Sequence, residues 1–260
     1  MILLGLDAGR FVWDPEWAIA LVLVGVDYAY VVAVYRRRGL RVPPWRCCCF
    51  AAGLVIIAIA LFSPVEHLAL TSMVSAHLLQ NVMIGDWAPP LLVFGLTGEM
   101  AAAVERRLPV RGPRLAWVAL GFWLVVWYLL HVPGYYDYAL RNQWALGFEH
   151  LLFVVAGLVF WWPELTPGHL TYGQKVVYLF AAFLLISPLD LVLALSGTPI
   201  YSFYLHTAKL WGLSPVEDQQ IGAVTMTIEQ NVILFAACAA AFVKLLAGDA
   251  EAPEAVELLS

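Results

Sequence analysis

Apolar runs of about 20 residues recur seven times along this chain, separated by short loops that hold most of its charge. They lie near 16–36, 46–64, 68–97, 114–131, 144–162, 174–194 and 218–246. Each is long enough to cross the hydrocarbon core of a bilayer as a helix. Composition agrees: 62% of the 260 residues are hydrophobic and 13% are charged. A soluble domain of this size has too little interior to hide so much apolar surface. The expected fold is all-α, a polytopic membrane bundle of about seven transmembrane helices in contact with the lipid bilayer. Residues 1–247 form its single domain, and 248–260 a short acidic tail. The third run is the longest and is interrupted at Pro89-Pro90, where the helix must kink or restart. Neighbouring helices must then satisfy the freed backbone groups, so this segment belongs inside the bundle. No inverted repeat of the transporter kind is visible.

Charge gives the expected orientation. Arg36, Arg37, Arg38, Arg41 and Arg46 lie between the first two runs, and Arg106, Arg107, Arg111 and Arg114 between the third and fourth. Lys175 and Lys244 fall on that same side, whereas the other side has only Arg10, Arg141 and Lys209. Eleven against three places the basic side in the cytoplasm. The chain is then expected to be a multi-pass membrane protein with its N-terminus outside and the acidic tail (Asp249, Glu251, Glu254, Glu257) inside. Residues 1–10 carry Asp7 and no basic segment, so they do not read as a cleaved signal. No basic domain or basic-aromatic patch supports nucleic-acid binding.

With this topology five of the six histidines fall in the outer half, His169 being the exception. His77 lies roughly 14 Å into the third run at 1.5 Å per residue. His131 closes the fourth run, Glu149-His150 opens the fifth, and Asp218-Gln219-Gln220 starts the seventh. His67 and Glu66 sit in an outer loop after Ser63-Pro64. Met73, His77 and Asn81, at i, i+4 and i+8, share one face of a continuous helix.

Polar groups at such depth are costly and usually functional. Imidazole and thioether suit copper, while imidazole with carboxylate suits zinc, iron or copper(II). His77, His150, His131 and Met73 are the candidate ligands. A ligand histidine commonly donates its second nitrogen to an acceptor, a place that Glu149, Asp218 or Gln219 can take, with Asn81 beside them. The competing reading for each histidine is a hydrogen bond to a neighbouring helix, and for each methionine simple packing.

Asp27 and Glu229 fall near mid-membrane, as members of a proton or cation path or as carboxyls hydrogen-bonded inside the bundle. Asp86, just before the prolines, is placed to cap the second half of its helix. Cys47-Cys48-Cys49 diverge by about 100° each around a helix and cannot chelate one ion well. No Ser/His/Asp arrangement, phosphate loop or zinc-protease motif is present, so no enzyme activity is expected.

Several blocks, in order, carry a family likeness: Ser63-Pro64, Ser75-Ala-His77-Leu-Leu-Gln80-Asn81, Ala88-Pro89-Pro90, Trp127, His131-Val-Pro133 with Tyr136-Asp137, Glu149-His150, Trp161-Trp162-Pro163, and Asp218-Gln219-Gln220-Ile-Gly222 with Met226. Over roughly residues 60–247 the chain resembles the CtaG-type cytochrome c oxidase assembly proteins of Gram-positive bacteria. That resemblance implies a seven-helix protein needed to assemble haem-copper oxidase, with cytochrome c oxidase subunits as partners and copper as its cofactor or cargo. It marks His77, His131, His150, Asp218 and Gln219 as functional positions. Relatives often carry further histidines where this chain has Asn81 and Leu146, and a tryptophan where it has Thr227. Two readings remain: His77 and His150 bind copper with Met73, Met83 or Glu149, or this member assembles oxidase without metal. A b-type haem protein with His77 and His150 as axial ligands, and a small-solute or ion transporter, are the alternatives outside the family.

Overall fold

A computed structural model describes residues 9–207 and 210–248. The acidic tail, apart from Gly248, and Lys209 lie outside them. The described residues form eleven α-helices and no strand: α1 Pro15–Arg37, α2 Pro44–Phe62, α3 Pro64–Thr71, α4 Val74–Val82, α5 Ala88–Phe94, α6 Gly98–Glu105, α7 Pro113–Leu130, α8 Pro133–Ala139, α9 Gln143–Leu165, α10 Tyr172–Leu195 and α11 Pro215–Leu246. A π-helical turn, Met83–Trp87, joins α4 to α5, and a 3₁₀ turn covers Ser202–Leu205.

Local chemistry sets most helix starts. Pro occupies the first turn of α1, α2, α3, α7, α8 and α11, where a missing N–H costs nothing. Asp14, Ser63, Thr97 and Asn142 accept hydrogen bonds from the backbone N–H groups that open α1, α3, α6 and α9. Thr171 with Gln174, and Ser214 with Glu217, form capping boxes on α10 and α11.

Six of these helices are long and apolar enough to cross a membrane. A seventh crossing is made if Val74–Phe94 and α6, which meet at 112°, count as one bent span. The expected multi-pass bundle is therefore present. The interruption expected at the two prolines takes the form of the π turn just before them. There Ala88 N–H reaches back five residues to the Met83 carbonyl. The sharp change of direction falls after Phe94, in Gly95–Thr97, rather than at Pro89-Pro90.

As expected, Val74–Phe94 runs through the interior. α4 packs on α11, and α5 lies between α2 and α9, while α7 backs α9 and α10 lies along α11. α1 touches the bundle mainly through α2, and Val32 is its one buried residue. Glycines allow the close approaches. A Cβ at Gly222 on α11 would meet Ser75 Cα at 2.7 Å, and one at Gly53 on α2 would meet Leu92 Cγ at 2.8 Å. At Gly157 on α9 it would stand 2.5 Å from Pro89 Cγ and overlap the Gly85 carbonyl. Membrane helices pack through such small residues because lipid offers no hydrophobic drive for association.

Gly157→Ala is expected to destabilise the bundle by about 2 kcal/mol, since backbone and proline ring cannot both yield. Gly121→Ala, which meets open space on α7, is expected to have no such cost. Thermal unfolding of both variants in detergent checks the contrast.

Candidate functional site

α4 has no capping side chain of its own, because Met73 occupies its N-cap position. Asp218, in the first turn of α11, supplies the cap from across the bundle. Its Oδ2 accepts from Val74 N at 2.7 Å, and its Oδ1 accepts from Ser75 Oγ. The next two residues hold the loop that follows α10. Gln219 accepts from Ile200 N at 2.7 Å and donates to the Leu193 carbonyl at 3.1 Å; Gln220 donates to the Ser196 carbonyl at 3.2 Å. Asp137 on α8 accepts from Ser202 N at 3.0 Å and Phe203 N at 2.9 Å, anchoring the far end of that loop. Tyr204 is thereby set over α4, and Tyr201 over the end of α7, its hydroxyl donating to the His131 carbonyl at 3.4 Å.

His77, one turn into α4, is fully buried. Tyr204 donates its hydroxyl to the Ala69 carbonyl at 2.6 Å, and the same oxygen lies 3.4 Å from His77 Nδ1. With its proton committed, that oxygen can only accept, so the imidazole carries its hydrogen on Nδ1. The bare Nε2 lone pair then faces Glu149 Oε1 at 3.3 Å, a contact without hydrogen-bond alignment. Two acceptors in contact call for a proton or a cation between them.

The neighbouring histidine repeats the pattern. His131, at the end of α7, places Nδ1 2.7 Å from the Trp127 carbonyl, which fixes the hydrogen there and leaves Nε2 bare. That Nε2, His150 Nε2, both Glu149 oxygens and both amide atoms of Asn81 are buried without a hydrogen-bond partner among the described residues. The His77 and His150 rings stand 6.4 Å apart and nearly perpendicular. The Tyr136 ring lies between the other two histidines, 4.8 Å from His77 and 6.1 Å from His131. A cleft of about 300 Å3, walled by Trp17, Glu66 and Leu146, reaches His150. Among the described residues no three His, Cys, Asp or Glu side chains are close enough to enclose an ion. The donor types nevertheless fit a borderline ion such as copper(II): bare imidazole nitrogens beside a carboxyl, with His131's second nitrogen held by a carbonyl.

The structure thus gathers His77, Glu149, His150, His131 and Asn81, and uses Asp218 and Gln219 to build the frame around them. Met73 is a correction. The helix is broken at Ser72–Met73, so Met73 does not share a helical face with His77; it packs against Ala69 and Ala76 beside Leu210 and Leu213. Glu229 is half-buried, and the buried polar residue of mid-α11 is its neighbour Gln230, which donates to Asp86 Oδ2 at 2.8 Å. That bond gives Asp86 a partner on another helix in place of the expected cap. Asp27, expected inside the bundle, is exposed on peripheral α1. His67 lies in α3 and not in a loop.

Sequence reasoning gave no role to Tyr136, Tyr204, Gln80 or Glu66. Gln80 donates both to the Ala60 carbonyl, at 3.0 Å, and to Glu66 Oε2. Its position three residues after His77, within the Ser75–Asn81 block, was the signal that Gln80 offered. Burial pushes the Glu66 carboxyl up to about 8, although the Gln80 hydrogen bond works in the other direction.

The family model described as cytochrome c oxidase caa3 assembly factor matches residues 26–247. This chain belongs to that family, as its motifs led us to expect. No curated protein and no solved structure matches it.

Asp218→Ala leaves the Val74 N–H and the Ser75 hydroxyl without their acceptor and is expected to cost about 1–2 kcal/mol, read by denaturant or thermal unfolding in detergent. Glu66 predicts a pH dependence. Its native value, about 8, lies above an unfolded value near 4.3, so the folded chain keeps a proton that the unfolded chain releases. Stability should therefore fall as pH rises from about 4.5 to about 8 and level off above. Glu66→Gln, which keeps an acceptor for Gln80, should flatten that slope; an unchanged slope would contradict the assignment.

Proposed function

We propose that this chain is a non-catalytic factor that receives copper on the extracytoplasmic side of the membrane and passes it to a haem-copper oxidase subunit during assembly. The single observation that carries the reading is the pair of facing acceptors, His77 Nε2 and Glu149 Oε1, buried together at 3.3 Å. Family membership supports the assembly role, and the donor set supports copper as cargo. The basic residues gathered at the opposite end of the bundle support an outward-facing site, with the N-terminus outside and the C-terminus in the cytoplasm.

In this reading each residue has a distinct task. Tyr204 holds the His77 hydrogen on Nδ1, so that Nε2 stays available to an ion. Glu149 offers the countercharge within the apolar interior. His150 and His131 stand next to this pair as onward or additional donors, each with a bare or unclaimed Nε2. The cleft past Trp17 and Leu146 is the access route from the surface to His150. Two donors in contact hold an ion less tightly than a closed four-ligand cage, which suits release to a partner.

Metal analysis of anaerobically purified protein tests this. Wild type is expected to carry up to about one copper per chain, lost in the His77→Ala/His150→Ala variant. Asn81→His, which adds an imidazole one turn from His77, should raise copper retention. Undiminished copper in the double variant would sink the site. A Soret band in place of copper would instead indicate haem.

A further inference from the structure

α1 carries a carboxyl where a membrane helix can least accommodate one. Asp27 stands about 18 Å from Pro15 and about 15 Å from Arg37, at 1.5 Å per residue, and so falls at the middle of the helix. It is exposed, and its carboxyl has no hydrogen-bond or ion-pair partner among the described residues. A polar group turned toward hydrocarbon without a partner is costly, and one in mid-span usually meets a neighbour inside the membrane. The basic residues of α1 begin only at Arg36, too far along the helix to supply that neighbour.

The rest of that helix face has a pattern of its own. Toward the bundle, Gly25 approaches Leu54, Tyr28 stacks on Phe50 at 3.8 Å, and Val32 is buried. On the other side Ala20, Leu23, Asp27 and Tyr30 are all exposed, at spacings of three, four and three residues. Those are the alternating seam positions through which two parallel helices interlock. Tyr30 is 69% exposed, and its hydroxyl also has no partner among the described residues. The seam therefore carries one free acceptor group and, three residues on, one free donor.

We propose that this seam is the interface of a parallel homodimer, in which Tyr30 of each copy donates its hydroxyl to the Asp27 carboxyl of the other. The bilayer gives every copy the same orientation, so a second copy necessarily brings Tyr30 to the depth of Asp27. Residues 27 and 30 are separated by about 4.5 Å along the axis. A long side chain on a helix leans back toward the N-terminus, which carries the Tyr30 hydroxyl toward the level of Asp27. In seam packing a side chain at position 27 enters a hole that position 30 of the facing helix helps to form. The contact is isologous, so each bond is made twice about a two-fold axis. A carboxyl keeps an accepting oxygen whether or not it holds a proton. α1 also carries Trp17, whose ring lies 6.3 Å from that of His150 on the wall of the cleft, so pairing bears on the entrance to the site. The interface itself stands without reference to copper.

The test uses purified full-length protein, labelled at the C-terminus with a donor or an acceptor fluorophore and mixed in phosphatidylcholine vesicles. Energy transfer, followed as the protein is diluted with lipid, reads association between copies. Wild type should associate, and Asp27→Leu should weaken association about tenfold, as loss of two interhelical hydrogen bonds implies. Tyr30→Phe should weaken it as much, and the double variant no more than either alone. Asp27→Asn, which keeps an accepting oxygen, should retain association. A photo-crosslinker at position 23 should yield a product of twice the chain's mass, and one at Val125, exposed on α7, should not. Transfer no greater than random proximity in wild type would overturn the proposal. So would association that Asp27→Leu and Tyr30→Phe leave unchanged, because the interface would then lie elsewhere. Loss in Asp27→Leu alone would overturn the tyrosine as donor. Crosslinks in native membranes from position 23 to a different polypeptide, without the doubled product, would overturn the dimer in favour of a foreign helix.

Discussion

The carboxyl of Asp218 holds together the N-terminus of α4, and the position of His77 follows from it. A helix that starts inside a membrane protein exposes four N–H groups with no water to receive them. α3 and α4 meet at an extended break, and Met73 brings no acceptor, so the cap must come from elsewhere. Asp218 provides it from α11, whose own start is fixed by the Ser214–Glu217 capping box. Gln219 and Gln220 extend the same short segment to the loop after α10. One turn of α11 therefore sets both the depth of His77 and the placement of Tyr204, which decides the side of the imidazole that bears hydrogen.

That decision shapes the chemistry of the interior. Hydrogen bonds to Nδ1 of His77 and His131 turn both rings so that bare nitrogens point into buried space. Apolar packing alone does not require this, and leaving acceptors unpaired costs stability. Such an arrangement persists only if the frame around it is firm, and here the frame is close-packed. Trp127 stacks on His131 at 5.5 Å, Phe153 sits against both, and Tyr201 stacks on Tyr136 at 3.8 Å. The aromatic shell packs the His131 ring and the Tyr136 ring beside His77 in place.

Much of this was legible in the chain. Run lengths sufficed for the bundle, because bilayer thickness imposes them on any sequence. Buried polar residues such as His77 and Glu149 stood out because they are costly in apolar runs. What escaped were relations between distant segments. Met73 looked like a ligand because periodicity assumes an unbroken helix, and nothing local announces the break at Ser72–Met73. Gln219 looked like a partner for a ligand, but the loop after α10 uses both ends of its amide. Asp27 looked interior because depth along a span was taken for burial, whereas α1 lies at the edge of the bundle. Glu66 was placed in a loop, and only the third dimension brings Gln80 to it.

The prolines illustrate how a local fault is absorbed. Pro89 and Pro90 remove two N–H donors from the middle of a span, which frees carbonyls four residues earlier, at Gly85 and Asp86. A π turn widens the helix at that place and moves the next donor, Ala88, onto Met83. The wider turn needs room, and Gly157 on α9 provides it by presenting no side chain to Gly85 and Pro89. The same turn carries Asp86 into the interior, where Gln230 of α11 donates to its carboxyl. Proline break, glycine contact and buried amide are therefore one unit. It ties α5 to α9 and α11 just below the histidines, so a change at any one of the three would be felt at the depth of Glu149.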